Sequence, residues 1–189
     1  MPVGATPKQK QKNNKRKILL SLLILLLTLL IAAVAVFAYV SADFTVTNNV
    51  SFTAQNVNAH IEVNVLNAGE YIELYNNSFD IIADDPSETP YGMTIPPQVY
   101  AGTGMANAIV YIVTITNTGE NPFSVNLADL PSYSNLTIIK EYYRGTSLVT
   151  NGVVLANGQV ATVKVYALLN EVVDTQEEIV MTFTLSNYD

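Results

Sequence analysis

The sequence contains no cysteine, no tryptophan and a single histidine, His60. Without cysteine there is no disulfide framework, no thiol nucleophile and no thiolate-bound metal. Zinc sites commonly use several His or Cys ligands, so one histidine does not support a zinc protease. Ser-His-Asp catalysis would have to use His60, and no nucleophile-elbow motif accompanies it. We therefore predict a protein that is not an enzyme, with no catalytic, cofactor-binding or metal-binding residue.

Charge is absent from one long stretch, the 23 residues from Ile18 to Val40. A helix of that length is about 34 Å long, enough for a hydrocarbon core of about 30 Å. Six of the nine basic residues lie at positions 8–17, and positive charge beside a span stays in the cytoplasm. The pattern predicts a basic cytoplasmic tail at 1–17, a transmembrane or signal-anchor helix at 18–40, and an extracellular domain at 43–189. The plasma membrane is then a partner, crossed once.

A cleaved signal peptide is the alternative for the same stretch. Ala38 and Ala42 each provide the small residue that signal peptidase needs. The apolar region of a signal peptide is usually about 7–15 residues, and this one is longer, which favours a retained anchor. If the segment is cut, the domain is secreted. A buried helix of a soluble domain is disfavoured, because such helices rarely lack charge for so long.

Basic residues are scarce after Val40. All sixteen acidic residues lie there, with only Lys140, Arg144 and Lys164 to oppose them, a net charge of −13. An acidic surface repels nucleic acid, so we exclude a nucleic-acid partner. Residues 43–189 are also enough for one domain that buries its own core.

The acidic segment has the alternation of β-strands. Ile61, Val63 and Val65 fall on one face of the stretch 59–66, and His60 falls on the opposite, polar face. Stretches 159–169 and 178–186 alternate in the same way, while 108–116 is apolar on both faces, as expected of a central, covered strand. We count roughly nine or ten strands and no helix outside the span. The predicted fold is all-β, an antiparallel β-sandwich of Ig-like or jelly-roll type.

Turn residues divide these strands. Asn48-Asn49 predicts a turn between two short strands in 43–54. Asn151-Gly152 predicts a hairpin between 147 and 155, and Asn157-Gly158 a second tight turn. Asn117 to Pro122 predicts another turn. Residues 76–106, with four prolines and three glycines, predict an irregular excursion with one short strand near 79–83.

Three groups of residues are candidates for binding or modification. Asp80, Asp84, Asp85 and Glu88 could hold Ca²⁺, although a solvated acidic loop is the favoured interpretation. Six tyrosines could form a recognition surface, although packing in the core or at an edge is favoured; they are Tyr71, Tyr75, Tyr91, Tyr100, Tyr142 and Tyr143. Asn49, Asn76 and Asn135 begin N-glycosylation triplets.

The order of several short motifs resembles a known family. The apolar segment ends in Ala38-Tyr39-Val40-Ser41-Ala42-Asp43, and Val50–Ala54 and the strand at 59–66 follow it. Thr116-Asn117-Thr118-Gly119 closes one strand, Asn157-Gly158-Gln159 opens another, and the last strand is rich in Thr and Phe. This order resembles the camelysin and TasA-type proteins of Gram-positive surfaces and biofilm-matrix fibres. Gln55 replaces the usual glycine, and His60-Ile61-Glu62 replaces an acidic-Leu pair.

The resemblance implies a jelly-roll-like sandwich. It also implies assembly in which the N-terminal segment of one subunit, here Asp43 to Ala54, adds a strand to its neighbour. We therefore expect a non-enzymatic surface protein for matrix or fibre assembly or adhesion, with self-association through a sheet edge. The alternative is a membrane-tethered binding module, with 76–106 as its contact surface for an unknown protein or surface ligand.

Overall fold

The computed structural model describes residues 17–32, 44–69, 71–83, 91–100, 102–171 and 175–188. The chain divides into two compact units, residues 1–42 and 43–189. Each unit is described separately.

The described part of the first unit is one helix, α1, at residues 17–32. Its Leu and Ile side chains favour helix, and its hydroxyls bond to the helix backbone: Ser21 Oγ donates to Ile18 O (2.9 Å) and Thr28 Oγ1 to Leu25 O (2.8 Å). No helix among the described residues has the length and apolarity needed to cross a membrane. The predicted span continues over 33–40, which lies outside the described residues, as do Ala38, Ala42 and residues 1–16 of the predicted tail. The transmembrane helix stays a prediction.

The second unit is built from β-strands. Its described residues form eleven strands and one 3₁₀ turn at Met105–Asn107. The strands are β1 (Thr45–Gln55), β2 (Ala59–Asn67), β3 (Glu73–Ile81), β4 (Tyr91–Val99), β5 (Ile109–Asn117), β6 (Phe123–Leu127), β7 (Leu136–Arg144), β8 (Ser147–Val149), β9 (Val153–Leu155), β10 (Val160–Leu169) and β11 (Gln176–Asn187).

These strands form two sheets, consistent with the predicted β-sandwich. Sheet A has the order β4-β1-β11-β6-β9, and sheet B has the order β3-β2-β5-β10-β7-β8. All neighbouring pairs are antiparallel except β1 and β11, which run parallel over eleven residue pairs from Thr45–Gln176 to Gln55–Ser186. The prediction of a purely antiparallel fold is therefore wrong at this pair. Residue alternation reports which face is buried and carries no information on the direction of the neighbouring strand.

The core lies between the two sheets and follows the predicted alternation. Ile61, Val63 and Val65 are fully buried, whereas His60 and Glu62 face outward. Strand β10 repeats this pattern along its whole length, and β11 repeats it from Ile179 to Leu185. Burying one large apolar side chain contributes about 1.5–3 kcal/mol. Many such side chains are buried here, and they stabilise a chain that has no cysteine for a disulfide.

Strand β5 lies between β2 and β10 in sheet B, so its prediction as a central strand is confirmed. Its outward face is less covered than predicted, because Ile112, Thr114 and Thr116 are half-buried. A β-branched side chain suits a strand whether its face is buried or exposed. The β-branched residues on the outward face of β5 were therefore no evidence that this face is buried.

The predicted turn at Asn48-Asn49 is wrong, because β1 runs through both residues without interruption. Asn48 is only 1% exposed. Its Oδ1 accepts a hydrogen bond from the Tyr111 hydroxyl of the opposite sheet (2.7 Å), and its Nδ2 donates to Val46 O (3.2 Å). A buried amide is tolerated when its polar atoms are bonded, and its partner lies 63 positions away.

The predicted excursion at 76–106 is also wrong, because it contains most of β3 and all of β4, nine residues each. The short strand predicted near 79–83 overlaps the end of β3, which begins at Glu73, before the predicted excursion, and ends at Ile81. Both strands lie at the edges of their sheets. An edge strand has one unpaired side, so it tolerates the polar residues and prolines that suggested irregular structure.

The turn at Asn151-Gly152 exists, with Gly152 at φ 85°, but the predicted hairpin is wrong. Strand β8 pairs with β7 in sheet B, whereas β9 pairs with β6 in sheet A. The turn therefore carries the chain from one sheet to the other. The predicted turn at Asn157-Gly158, with Gly158 at φ 71°, carries it back to sheet B.

The predicted turn after β5 is confirmed and rests on a buried side chain. Asn117 is completely buried; its Nδ2 donates to Asn121 O (2.9 Å) and Leu155 O (2.8 Å), and its Oδ1 accepts from Gly119 N (2.9 Å). All of its amide groups are therefore used to hold neighbouring turns together.

Candidate functional site: the open edge of sheet B

Four strands form the edges of the two sheets: β4 and β9 in sheet A, β3 and β8 in sheet B. An edge strand exposes unpaired N–H and C=O groups that can bind a strand of another chain. Strands β8 and β9 have three residues each and offer few such groups. The two long edges are β3 and β4.

The β4 edge is interrupted by two prolines. Val46 of β1 faces Gln98 and Asn48 faces Ile95, so Pro96 and Pro97 together oppose Thr47 in a β-bulge. Proline has no N–H to donate to a further strand. Both features are common protections of natural edge strands, so β4 is a poor acceptor.

The β3 edge has neither proline nor a basic residue along Glu73–Ile81. The Ser78 N–H donates to the side chain of its neighbour, Asn77 Oδ1 (2.9 Å), which indicates that this amide points away from β2. Alternate residues of an antiparallel strand point their backbone groups to the same side. We therefore place the backbone groups of Asn76, Ser78 and Asp80 at the open edge.

The outer face of β3 is polar and carries a carboxylate at each end. A register shift places Val65 opposite Tyr75 and Leu66 opposite Glu73. Glu73 Oε2 then accepts from the amides of Asn64 and Asn76, both at 3.3 Å. These bonds fix one end of the edge strand to β2.

The inner face of β3 is held by aromatic packing. The Phe79 ring meets the Phe52 ring edge-on, with centroids 5.6 Å apart, and stacks with Tyr91 at 6.3 Å. Tyr75 is half-buried and packs against the core. The open edge is therefore a positioned strand whose side chains reach the core of the sandwich.

His60 lies beside this edge and binds it. Its Nδ1 is 2.6 Å from Asp80 Oδ1, and its Nε2 is 3.6 Å from Glu62 Oε1. The hydrogen bond to Asp80 is the main cause that raises the pKa of His60 above 6.5; the charges of Asp80 and Glu62 add to it, and desolvation opposes it. The predicted outward position of His60 is confirmed. Its pairing with Asp80 was missed, because it depends on the register of β2 and β3.

The predicted calcium ligands are only partly described. Asp84, Asp85 and Glu88 lie outside the described residues, and Asp80 is bound to His60. No group of three or more His, Asp or Glu side chains that could hold a metal occurs in the part of the chain that the structure describes. Calcium binding stays a prediction.

The six candidate tyrosines do not form one surface. Tyr91 and Tyr100 are buried, Tyr75, Tyr142 and Tyr143 are half-buried, and Tyr71 is 80% exposed. The Tyr100 hydroxyl donates to Ala167 O of the opposite sheet (3.0 Å), and burial raises its pKa. Core or edge packing, the favoured interpretation, is confirmed for Tyr75, Tyr91, Tyr100 and Tyr142, whereas Tyr71 is exposed and Tyr143 lies on the outer face of sheet B.

A cluster on the outer face of sheet B was missed by sequence reasoning. Glu141 Oε2 accepts from the hydroxyls of Tyr143 (2.9 Å) and Tyr166 (3.2 Å), and Lys164 Nζ lies 5.2 Å from the centre of the Tyr143 ring. Burial is the main cause that raises the pKa of Tyr166. The members are brought together by the pairing of β7 with β10, which alternation alone does not reveal.

The three glycosylation triplets differ in accessibility. Asn49 Nδ2 donates to Glu178 (2.8 Å) and Asn135 Nδ2 to Glu177 (3.1 Å). Asn76 is exposed on the open edge. Of the three, Asn76 is the one whose modification would cover β3.

A small cleft at one end of the sandwich is the clearest concavity near this edge. It has a volume of about 320 Å³ and is lined mainly by amides and turn backbone, including Asn56, Asn58, Glu120 and Asn121. Asn58 Oδ1 already accepts from Ala83 N (2.7 Å). Among the described residues that line the cleft, Glu120 is the one carboxylate and there is no histidine.

No protein-family model matches this chain, and no curated protein matches it. The motif order that resembles camelysin and TasA-type proteins stays a prediction. Within the described residues, the feature best suited to an interaction is the long open edge, β3.

Proposed function

We propose that this chain is a non-enzymatic cell-surface protein that self-associates through a sheet edge, for matrix or fibre assembly or for adhesion. The observation that carries the proposal is β3, a nine-residue edge strand with no proline and no basic residue. Such an edge supplies main-chain hydrogen bonds to an added strand, and the faces of the strand supply specificity. The other long edge is blocked by Pro96 and Pro97.

We further propose that the sandwich is held at the outer side of a plasma membrane by a single pass, with the N-terminus in the cytoplasm. The uncharged stretch 18–40 and the basic residues before it support this placement. Within α1, Ser21 and Thr28 satisfy their hydroxyls on the helix backbone, as lipid requires. Cleavage after Ala38 or Ala42 would give a secreted form instead.

The proposed route of association differs from the one that the family resemblance implies. The candidate donor segment at 43–54 is β1, which lies between β4 and β11 in the interior of sheet A. Val46, Val50 and Phe52 of this strand are fully buried, and exposing each costs about 1.5–3 kcal/mol. Donating β1 therefore requires an exchange between copies, whereas adding a strand to β3 disturbs no buried side chain.

The test removes one hydrogen-bond donor from the open edge. Ser78→Pro deletes an N–H that points away from β2, so the pairing of β3 with β2 is retained. In the full-length chain, purified in mild detergent, we expect concentration-dependent assemblies by electron microscopy and analytical ultracentrifugation. The variant should associate about tenfold more weakly, because losing roughly 1.4 kcal/mol of hydrogen bonding changes an equilibrium constant tenfold.

Leu148→Pro is the matched control, because Leu148 is 69% exposed on β8, the opposite edge of the same sheet. Thermal unfolding of both variants verifies that folded proteins are compared. Leu148→Pro should associate like the unmodified chain. A chain that stays monomeric at every concentration would contradict the proposal.

A further inference from the structure

We propose that the strand received by β3 is β3 of a second copy, paired antiparallel about a twofold axis that passes between the two Asn77 residues. This inference rests on the proposed self-association and specifies its partner, its register and its symmetry. The result is a closed pair in which sheet B continues from one copy into the next. Further growth would need a different surface, because a twofold interface uses the same patch on both copies.

The first argument is the pattern of β3, which is nearly symmetric about Asn77. Tyr75 and Phe79 lie two residues to either side on the inner face, and Asn76 and Ser78 lie one residue to either side on the outer face. Antiparallel pairing about Asn77 places Tyr75 opposite Phe79 of the second copy, twice. It also places Asn76 opposite Ser78 twice. Cross-strand aromatic and polar pairs of this kind stabilise sheets.

The second argument is the direction of the backbone groups. Among the described residues, the acceptor of the Ser78 N–H is the neighbouring side chain, Asn77 Oδ1 (2.9 Å). In the proposed pair, Asn76 and Ser78 of the two copies exchange backbone hydrogen bonds, and this amide gains a main-chain acceptor. The two Asn77 residues then form a non-hydrogen-bonded pair, whose Cα atoms lie about 4.5 Å apart.

The third argument is charge. Residues 43–189 carry a net charge of −13, so two copies repel each other wherever their carboxylates come close. A parallel, in-register pair would place Asp80 beside Asp80 and Glu73 beside Glu73. The antiparallel register instead separates the two Asp80 residues, and likewise the two Glu73 residues, toward opposite ends of the paired strands. Asp80 is moreover paired with His60 at 2.6 Å.

The absence of cysteine from the chain makes disulfide scanning a direct test. In the full-length protein, Asn77→Cys places the thiol of one copy opposite the same thiol of the second copy. Their Cα atoms would lie about 4.5 Å apart, which is within the range for a disulfide. Mild oxidation should give a covalent dimer. Asn77 is exposed, and its side chain bonds only to Tyr75 and Ser78 nearby, so the substitution spares the core.

Two neighbouring variants test the register. Asn76→Cys alone should crosslink poorly, because the two introduced thiols would sit at diagonal positions, about 7–8 Å apart, beyond the roughly 7 Å limit for a disulfide. Ser78→Cys alone should do the same. An equal mixture of the two variants should crosslink much better than either variant alone, because residues 76 and 78 face each other in mixed pairs. Leu148→Cys, on the opposite edge, is the control and should remain uncrosslinked.

The outcomes separate this inference from the proposed function. Crosslinking of Asn76→Cys alone as fast as Asn77→Cys, or no gain from mixing, would overturn the register while association of the unmodified chain persists. Open filaments that incorporate Asn77→Cys without forming covalent dimers would overturn the twofold symmetry. An unmodified chain that is always monomeric, with no variant crosslinked, would overturn both.

Discussion

Strands β3 and β4 are the two long edges of this molecule, one on each sheet, and they are neighbours across the sandwich through the stacked rings of Phe79 and Tyr91. Both have nine residues. Strand β4 carries Pro96 and Pro97 in its bulge, whereas β3, whose register shift lies at its Glu73 end, has no proline and keeps its amide donors. Exposure alone therefore does not make an edge available; the presence of backbone donors does.

The two edges share one support. Phe52 of β1 faces Tyr91 in the register of sheet A, and its ring meets Phe79 edge-on. It also stacks on Phe183 at 5.1 Å. Replacing Phe52 should therefore affect both edges at once, whereas a substitution in one edge tests that edge alone.

The largest effect is expected for Phe52→Ala. Removing this fully buried ring should lower the free energy of unfolding by about 3–5 kcal/mol, because it leaves a cavity under both edges. Denaturant unfolding gives the change. Phe123→Ala is the matched control: an equally buried ring on β6 should cost a similar amount without weakening association through β3. A loss below about 1 kcal/mol for Phe52→Ala would show that the shared support is unimportant.

A smaller effect is expected for Tyr111→Phe, which acts on the β4 side only. The variant leaves Asn48 Oδ1 buried without its donor, at a cost of about 1–3 kcal/mol. Asn48 lies on β1 next to the bulge of β4. Hydrogen exchange should therefore speed up in β4 and remain unchanged in β3. Tyr71→Phe, on an 80% exposed side chain, should change neither, and equal acceleration in both strands would contradict this assignment.

Restoring amides to β4 should give a change in association of up to about tenfold, with stability unchanged within about 0.5 kcal/mol. The double variant Pro96→Thr, Pro97→Val restores two backbone N–H groups to this edge strand. Made together with Ser78→Pro, it should recover part of the lost self-association. Ultracentrifugation measures the recovery. If association stays weak, the bulge rather than the missing donors protects this edge.

The smallest effect is expected from the titration of His60. Its raised pKa in the folded chain means that the pair with Asp80 stabilises the fold fully below about pH 6.5. This stability is lost as pH rises through the raised pKa. We expect the melting temperature of the unmodified chain, relative to His60→Gln, to fall as the pH rises from 6.5 through the raised pKa of His60. Asp80→Asn should reduce this pH dependence to the smaller part that Glu62 supports, and a difference that rises with pH would contradict the assignment.

Sequence reasoning succeeded where the pattern of neighbouring residues decides the structure. The inward set of β2, the central position of β5 and the positive φ of Gly152 follow from local patterns. It failed where a distant partner decides. Asn48 looked like a turn residue until Tyr111 of the other sheet satisfied its amide. The hairpin at Asn151-Gly152 failed because its two arms pair in different sheets.

The candidate edge was only half predictable. Association through a sheet edge was expected with the family resemblance, but residues 76–81 of β3 lay within a stretch assigned as irregular apart from one short strand near 79–83. Polar residues such as Asn76, Asn77 and Ser78 argue against a strand when both of its sides are assumed to be paired. At an edge they are tolerated, and whether a strand lies at an edge depends on sheet order.

The sequence by itself determined the sharp division between a basic, greasy N-terminal segment and an acidic, strand-rich remainder, because charge, hydropathy and alternation are properties of neighbouring residues. Only the tertiary structure decided which strands border each sheet, that β1 runs parallel to β11, and that β3 keeps an open ladder while β4 is closed by its prolines. These features depend on pairing between residues far apart in the chain. Strands pair through backbone groups, which are nearly the same in every residue, so the sequence of side chains says little about which strands are neighbours.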